Sequence, residues 1–484
     1  MRSPKCHRPR HRPRFWNAAL LRRVGCPTPP PDFGPAPAEP EDCFFYSAAW
    51  QHFFVATHAG AGGQPAFVGY PNIASIFGDE ATKSGFVGLK PDQLGVALRD
   101  VQRPNDLLTH QSQIVSIAEG VRQAGGLFGL VIDGVGNPVF YSIHVNQRFE
   151  DFLKGKGLAL KDPKALKDAI EKDPNLEFDP GVVEFKAAWV LTPAGAPDDP
   201  NYIVAHADIP NLMQDGRGVL RLGTGNRSAT LKLIVLHVAF TIKDHPEFIW
   251  VTFDHVTPGG PTDVAPSAET NDAMSGVLAD PKIAYTLFAA GASRSSANSP
   301  CPGVGAAPSA CDPTKAYPVF NALTQSFAGA NGVQQTSVFR EYFSSKSDRW
   351  ASEDQSVIDL NLSLRALLAP AGGPRDKRAN YRLVGATWLE HPRTGDGRPG
   401  DFVLNQAFAN PEGQDTEDRS RVVAGEDMLS SMAMESFTQR DSPSCFSCHD
   451  TKAVRSDETG SPLILKPTAL NVSHVLSRYL SQPK

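Results

Sequence analysis

The sequence predicts an α+β fold: an antiparallel, β-rich body with peripheral helices, closed by a short C-terminal α-helical segment. Seven segments have the length and composition of strands and are joined mostly by turn-rich stretches. Too few long helical patterns alternate with them for a doubly wound parallel sheet. With 41% hydrophobic and 20% charged residues, the 484-residue chain has the composition of an ordinary globular protein and can bury a sizeable core.

The chain starts with a basic stretch, MRSPKCHRPRHRPRFW, and residues 27–40 hold seven prolines, so residues 1–42 read as a disordered arm and linker. Only the run 18–21 is apolar before Arg22 and Arg23 interrupt it, so the expected export signal is missing or degenerate. Arg23 lies too close to Cys26 for a lipoprotein cleavage site. Folded structure is expected from residue 43, first as a helix over 43–57 whose Phe44, Phe45, Ala48, Ala49, Phe53 and Phe54 recur at helical spacing. Strands are expected at 127–133, 138–145, 182–191, 202–207, 231–243, 248–257 and 381–389. Helical patterns return at 321–328, 426–439 and 472–480. Residues 293–313 form a surface loop by composition, in which Cys301 and Cys311 can close a disulfide suited to an oxidising compartment. Three regions result: the arm 1–42, a β-rich body 43–420 and a C-terminal segment 421–484.

Several function classes fall away. No apolar run is long enough for a transmembrane helix, and a formal charge of -5 lacks the basic footprint of a nucleic-acid binder. The glycines of GVGNP from 134 and GTGN from 223 do not complete a phosphate-binding fingerprint and read as turns.

The strongest chemical signal is SCFSCHD, in which Cys445, Cys448 and His449 form C-x-x-C-H. With seven cysteines and thirteen histidines in the chain, chance produces this pattern roughly 0.003 times per chain. Two thiols on one turn can bond the two vinyl groups of a haem while the histidine faces its iron, which makes the C-terminal segment a c-type haem segment with one covalently bound haem c. A bare disulfide or half of a zinc site would use the same residues, although a second cysteine pair at zinc spacing is absent. His449 is the expected proximal iron ligand. No methionine follows it, so the distal candidates are Met428, Met432 and Met434 before the motif, His474 after it, or His237 from the body.

A second constellation lies in the body. If residues 244–247 form a four-residue hairpin loop, Lys243 lies opposite Phe248 and His237 opposite Asp254. Glu184 and Lys186 share one face of their strand, Phe185 and Trp189 the other. His237, Asp254 and Lys186, with Trp250, are therefore the catalytic candidates; a satisfied core pair plus a Glu184–Lys186 ion pair is the plain alternative.

The fragments AAWQHFFVAT, LVIDGVGNPVFYSIHVN, PGVVEFKAAWV, LHVAFTIKDHPEFIWVTFDHV, YRLVGATW and MESFTQRDSPSCFSCH together resemble bacterial cytochrome c family proteins that join a large β-rich body to one C-terminal haem motif. The resemblance runs from about residue 43 to the end. In that family the stretch before the haem cysteines reads like T-M-E-T-x-x-Q, matched here by Met434, Glu435, Ser436 and Gln439, which favours Met434 as distal ligand. Relatives carry Glu-His or Glu-Gln where this chain has Asp254 and His255. The resemblance implies an exported, periplasmic protein and brings no catalytic assignment. The expected function is electron transfer through the haem, with the body as docking or substrate platform and a redox protein or small-molecule donor or acceptor as partner. The alternatives are a peroxidase-like oxidoreductase acting on a small substrate, or a haem-based sensor.

Overall fold

The computed structural model describes residues 42–72, 97–98, 131–155, 163–214, 220–256, 285–292, 320–329, 332–333, 335–338, 355–369, 371, 373, 375–389, 404, 423–425, 429, 431, 433–436, 445–447, 449–451, 455–456, 463–464, 467–473 and 475–476. At its centre is an eight-stranded sheet in which every pairing is antiparallel. Its strands are β1 (Ala97–Leu98), β2 (Phe140–Val145), β3 (Val183–Leu191), β4 (Val204–Gln214), β5 (Leu220–Ile242), β6 (His245–His255), β10 (Tyr381–Leu389) and β11 (Val423–Gly425). The order across the sheet is β1-β2-β3-β5-β6-β10-β11, with β4 paired to the outer half of β5. The fold class expected from the sequence holds at the level of a mainly antiparallel sheet with a few helices.

Nearly every residue of β2, β3, β6 and β10 is buried, which is why these segments are near-continuous apolar runs in the sequence. One face packs against helix α1 (Asp42–Thr57) and helix α4 (Gln355–Leu368). There Phe45 stacks on Trp388 and Phe53 on Phe253, with ring centroids 4.0 and 4.4 Å apart, and Trp50 and Phe140 are fully buried in the same cluster. Helix α1 is buried round most of its circumference, as its lack of a polar stripe requires. Tyr381 ties the layers together: its hydroxyl donates to the Leu233 carbonyl at 2.9 Å and accepts the Ile203 N–H at 3.0 Å.

The opposite face is covered by helices α2 (Gln147–Gly155) and α3 (Pro163–Lys172) and by the C-terminal chain. Phe149, Phe152 and Leu153 of α2, Leu166 and Ile170 of α3, and Ala433, Met434, Phe446, Leu470, Val472 and Leu476 all join one apolar cluster with Tyr141, Val190, Val235 and Trp250 of the sheet. Ala433, Met434, Phe446, Ala469, Leu470, Val472, Val475 and Leu476 thus share a core with the body.

Two small sheets complete the fold, β7 (Phe320–Asn321), β8 (Ser326–Gly329) and β9 (Gly332–Val333), and β12 (Arg455–Ser456) with β13 (Leu463–Ile464). Among the described residues no helix is long and apolar enough to cross a membrane.

Several local expectations are corrected. Residues 321–328 form a hairpin, not a helix: the Asn321 carboxamide accepts the N–H groups of Leu323 and Thr324, and Gln325 adopts a φ of 54°, so the chain reverses between β7 and β8. The described residues within 426–439 make a turn in place of a helix, since the Ser431 hydroxyl accepts from the N–H groups of Ala433 and Met434. At the expected last helix, residues 469–472 form a 3-10 turn capped by Thr468, with helix beginning only around Val475. GTGN from 223 lies inside β5 as a bulge opposite Asn211, with Gly225 at a φ of 77°, and is not a chain-reversing turn. GVGNP does turn: the Asp133 carboxylate accepts from the Val135 and Asn137 N–H groups, and Ile132 bridges Pro138. The expected strand 127–133 is therefore reduced to that bridge among the described residues. Cys301, Cys311 and the loop 293–313 lie outside them.

Candidate functional site

The hairpin of β5 and β6 sets the site. It turns through Lys243 and Asp244 alone, with Asp244 at a φ of 71°, a left-handed conformation that aspartate tolerates. Ile242 therefore pairs with His245, and after one irregularity His237 lies opposite Thr252. The expected His237–Asp254 pair is off by two residues, because the four-residue loop on which it rested is a two-residue turn. Asp254 lies opposite Val235 and Arg382, its carboxylate 3.9 Å from the Arg382 guanidinium, both side chains buried.

One row across the sheet reads Ile143, Lys186, His237, Thr252 and Gly385 from β2 to β10. The next reads Val145, Glu184, Ala239, Trp250 and Thr387. These rows form the face on which the C-terminal chain lies.

His237 is held at both nitrogens. The Thr252 hydroxyl donates to the Leu429 carbonyl at 2.8 Å, so its contact with His237 Nδ1 at 2.9 Å takes a proton from the ring. Nε2 lies 3.2 Å from Glu435 Oε2, which also accepts the Ser431 N–H at 2.7 Å. The carboxylate partner of His237 is thus Glu435, on the segment preceding the C-x-x-C-H motif. Two further bonds fasten that chain: Tyr141 donates to the Ala433 carbonyl at 2.7 Å, and the Ser473 hydroxyl donates to buried Glu184. Glu184 is therefore engaged by the C-terminal chain, and Lys186 sits beside His237 in the sheet.

The motif rests on this platform. Residues 445–447 form a single 3-10 turn, and the His449 N–H reaches back to the Cys445 carbonyl at 2.9 Å, which puts both side chains on one turn. Phe446 is buried in the core below, with Cys445 half-buried against it. The His449 ring lies over Trp250, with centroids 3.8 Å apart and planes tilted by 33°, and its Nδ1 is 3.0 Å from the Val472 carbonyl. A carbonyl can only accept, so Nδ1 carries the proton and the ring lone pair is directed to Nε2. The Thr468 N–H bonds the Thr451 carbonyl at 3.0 Å and ties together the strands of chain on either side. Trp250 is anchored in turn by its indole N–H to the Glu247 carbonyl at 3.2 Å.

Of the expected iron ligands, His449 and Met434 are described, and Met434 is fully buried in the cluster that contains Trp250 and Phe446. Cys448, Met428, Met432 and His474 lie outside the described residues. His237 is committed to Thr252 and Glu435. Among the described residues no three His, Cys, Asp or Glu side chains converge on a point, as a metal bound by protein side chains alone would need. A haem iron takes its equatorial ligands from the macrocycle and asks the protein only for axial ones. One fully oriented imidazole beside a cysteine on the same turn fits that demand.

Sequence reasoning missed Glu435, Thr252 and Trp250 as partners of the two histidines. Trp250 belongs to the candidates of the body and Glu435 to the stretch before the motif, but the sequence links neither to a histidine. Compared with family models, curated proteins and solved structures, the chain matches none.

Proposed function

We propose that the protein is a monohaem c-type cytochrome that transfers electrons through one covalently bound haem c, with the β-rich body as docking or substrate platform. The observation that carries the reading is the fixed His449. In a C-x-x-C-H motif the histidine needs Nε2 available to iron, and the Nδ1 bond to the Val472 carbonyl with the Trp250 indole against the ring holds that tautomer and orientation. Cys445 and Cys448 would carry the thioether bonds, His449 the proximal position and Met434 the distal one. When bound, the haem supplies one-electron chemistry. The chain's own part is to exclude water from the proximal side through Trp250, Phe446 and Leu470, and to keep the imidazole from rotating. Glu435, adjacent to Met434, fixes that stretch of chain on the sheet through His237. The partner in this reading is a redox protein or a small-molecule donor or acceptor, and the location is the periplasm or another exported compartment, where haem c is attached and kept.

The test is a reduced-minus-oxidised visible spectrum, with and without carbon monoxide, of protein made in the periplasm with c-type maturation machinery. A haem that survives denaturation and ignores carbon monoxide is the expected result. Loss of covalent haem in Cys445→Ser and Cys448→Ser should accompany it. A covalent haem that binds carbon monoxide would replace the carrier by a ligand-binding enzyme or sensor, and no covalent haem would refute the assignment.

A further inference from the structure

Strand β4 lies off the main path of the sheet: among the described residues it pairs with β5 alone, so its outer side is an edge of the whole sheet. Such an edge offers a row of N–H and C=O groups to any further strand. The Leu233 N–H bonds the Ile203 carbonyl at 2.9 Å, which turns the backbone groups of the odd-numbered residues that follow toward β5. Those of His206 and Leu212, at even positions, therefore point outward.

Side-chain carboxamides stand on both. Gln64 accepts the His206 N–H at 3.0 Å through Oε1. Gln325 does more, since its Oε1 accepts the Leu212 N–H at 2.7 Å while its Nε2 donates to the Leu212 carbonyl at 3.0 Å. A residue of an added antiparallel strand would make that same pair of bonds. Between the two sites Pro210 has no N–H to offer.

Gln325 takes this position at a cost. It holds a φ of 54°, a left-handed conformation uncommon for glutamine, in the hairpin between β7 and β8. Its Nε2 also donates to the Ala322 carbonyl at 2.7 Å, which fixes the amide, and the residue is buried. The same device recurs on β10. There β11 pairs only with Thr387–Leu389, and further back the Asn361 carboxamide of α4 accepts the Leu383 N–H at 3.0 Å and donates to the Leu383 carbonyl at 2.8 Å.

We propose that the Gln325 and Gln64 carboxamides plug the edge of β4 and so stop a second copy of this chain from adding its own β4 there. A second copy is the partner that fits, because two identical edges related by a twofold axis run antiparallel and present matching donors and acceptors, the pairing that the whole sheet already uses. The plug is built from the body alone and does not depend on the haem assignment.

The experiment is sedimentation velocity of the full chain across a wide concentration range, with circular dichroism as the check on folding. Gln325→Met keeps the length of the side chain and loses the amide; combined with Gln64→Ala it should add a species of twice the parent's mass whose share rises with concentration. Met213→Lys, a charge at an exposed position on the same strand, should abolish that species when placed on the double variant. A double variant that sediments like the parent, or an association that Met213→Lys leaves unchanged, overturns the proposal. Should the double variant fail to fold, Gln64→Ala decides alone: sedimentation identical to that of the parent overturns the plug.

Discussion

Thr252→Val isolates the latch between the sheet and the chain leading to the C-x-x-C-H motif. Valine keeps the shape and β-branching of threonine, so the fully buried position in β6 stays packed and its strand preference is unchanged. What disappears is one hydroxyl with two duties, donation to the Leu429 carbonyl at 2.8 Å and acceptance from His237 Nδ1 at 2.9 Å. Each bond contributes about 1 kcal/mol net, and each partner left unsatisfied in a buried setting costs about 1–3 kcal/mol. Leu429 is buried and His237 nearly so. The expected loss is therefore about 2–5 kcal/mol, read by urea unfolding followed through tryptophan fluorescence. A double-mutant cycle with Glu435→Ala sharpens the test, because both changes act through the same imidazole. The two losses should fall short of additivity by about 1 kcal/mol or more. A loss below about 0.5 kcal/mol, or strict additivity, would refute the view that Thr252, His237 and Glu435 act as one unit.

Further outcomes concern the core. Burial holds His52 down to about 3 and His144 to about 4, so below the unfolded value of 6.5 the unfolded chain takes up protons that the folded one refuses. That stability is present above about pH 6.5 and lost as pH falls; between about pH 8 and pH 5 the pair should account for about 4 kcal/mol. Asp133, raised by burial to about 6, works in the opposite sense and returns about 1 kcal/mol over the same range. His144→Leu should cut the acid sensitivity of the urea midpoint to about a third, and an unchanged pH slope would contradict the assignment. Tyr141→Phe removes the bond to the Ala433 carbonyl and should lower stability by about 1–2 kcal/mol, with faster proteolysis around residues 433–449 as the local readout. Gly425→Ala places a methyl group against the Ala386 carbonyl and the Trp388 ring at a φ of 79°. A drop of about 2 kcal/mol or more in thermal or urea unfolding is expected, and a neutral result would count against the β10–β11 pairing.

What could be read from the sequence follows the locality of each signal. Tyr381–Leu389 was legible to the residue because an apolar run buried on both faces marks its own limits, and α1 was legible to within one residue at its start. β5 reaches eleven residues further toward the N-terminus than its apolar part, because residues 220–230, with Gly223 and Gly225, form a polar, bulged ribbon with β4 and carry little apolar pattern. Helix α2 was missed although Phe149, Phe152 and Leu153 are spaced for one face. The site itself was half legible. C-x-x-C-H is contiguous and His237 stands out in an apolar strand, but its register depended on a turn that Asp244 tightens by adopting a positive φ. The Glu435 partner lies 198 residues away and leaves no local trace.

The bonds that seat the C-terminal chain span 198, 292 and 289 residues, from Glu435 to His237, Ala433 to Tyr141 and Ser473 to Glu184. Closing such loops costs more chain entropy than closing local ones, and the segment lands on a surface that β2, β3, β5 and β6 supply. The seat of Cys445 and His449 is therefore made by residues that the sheet brings from far along the chain, and it lasts only as long as the sheet is intact.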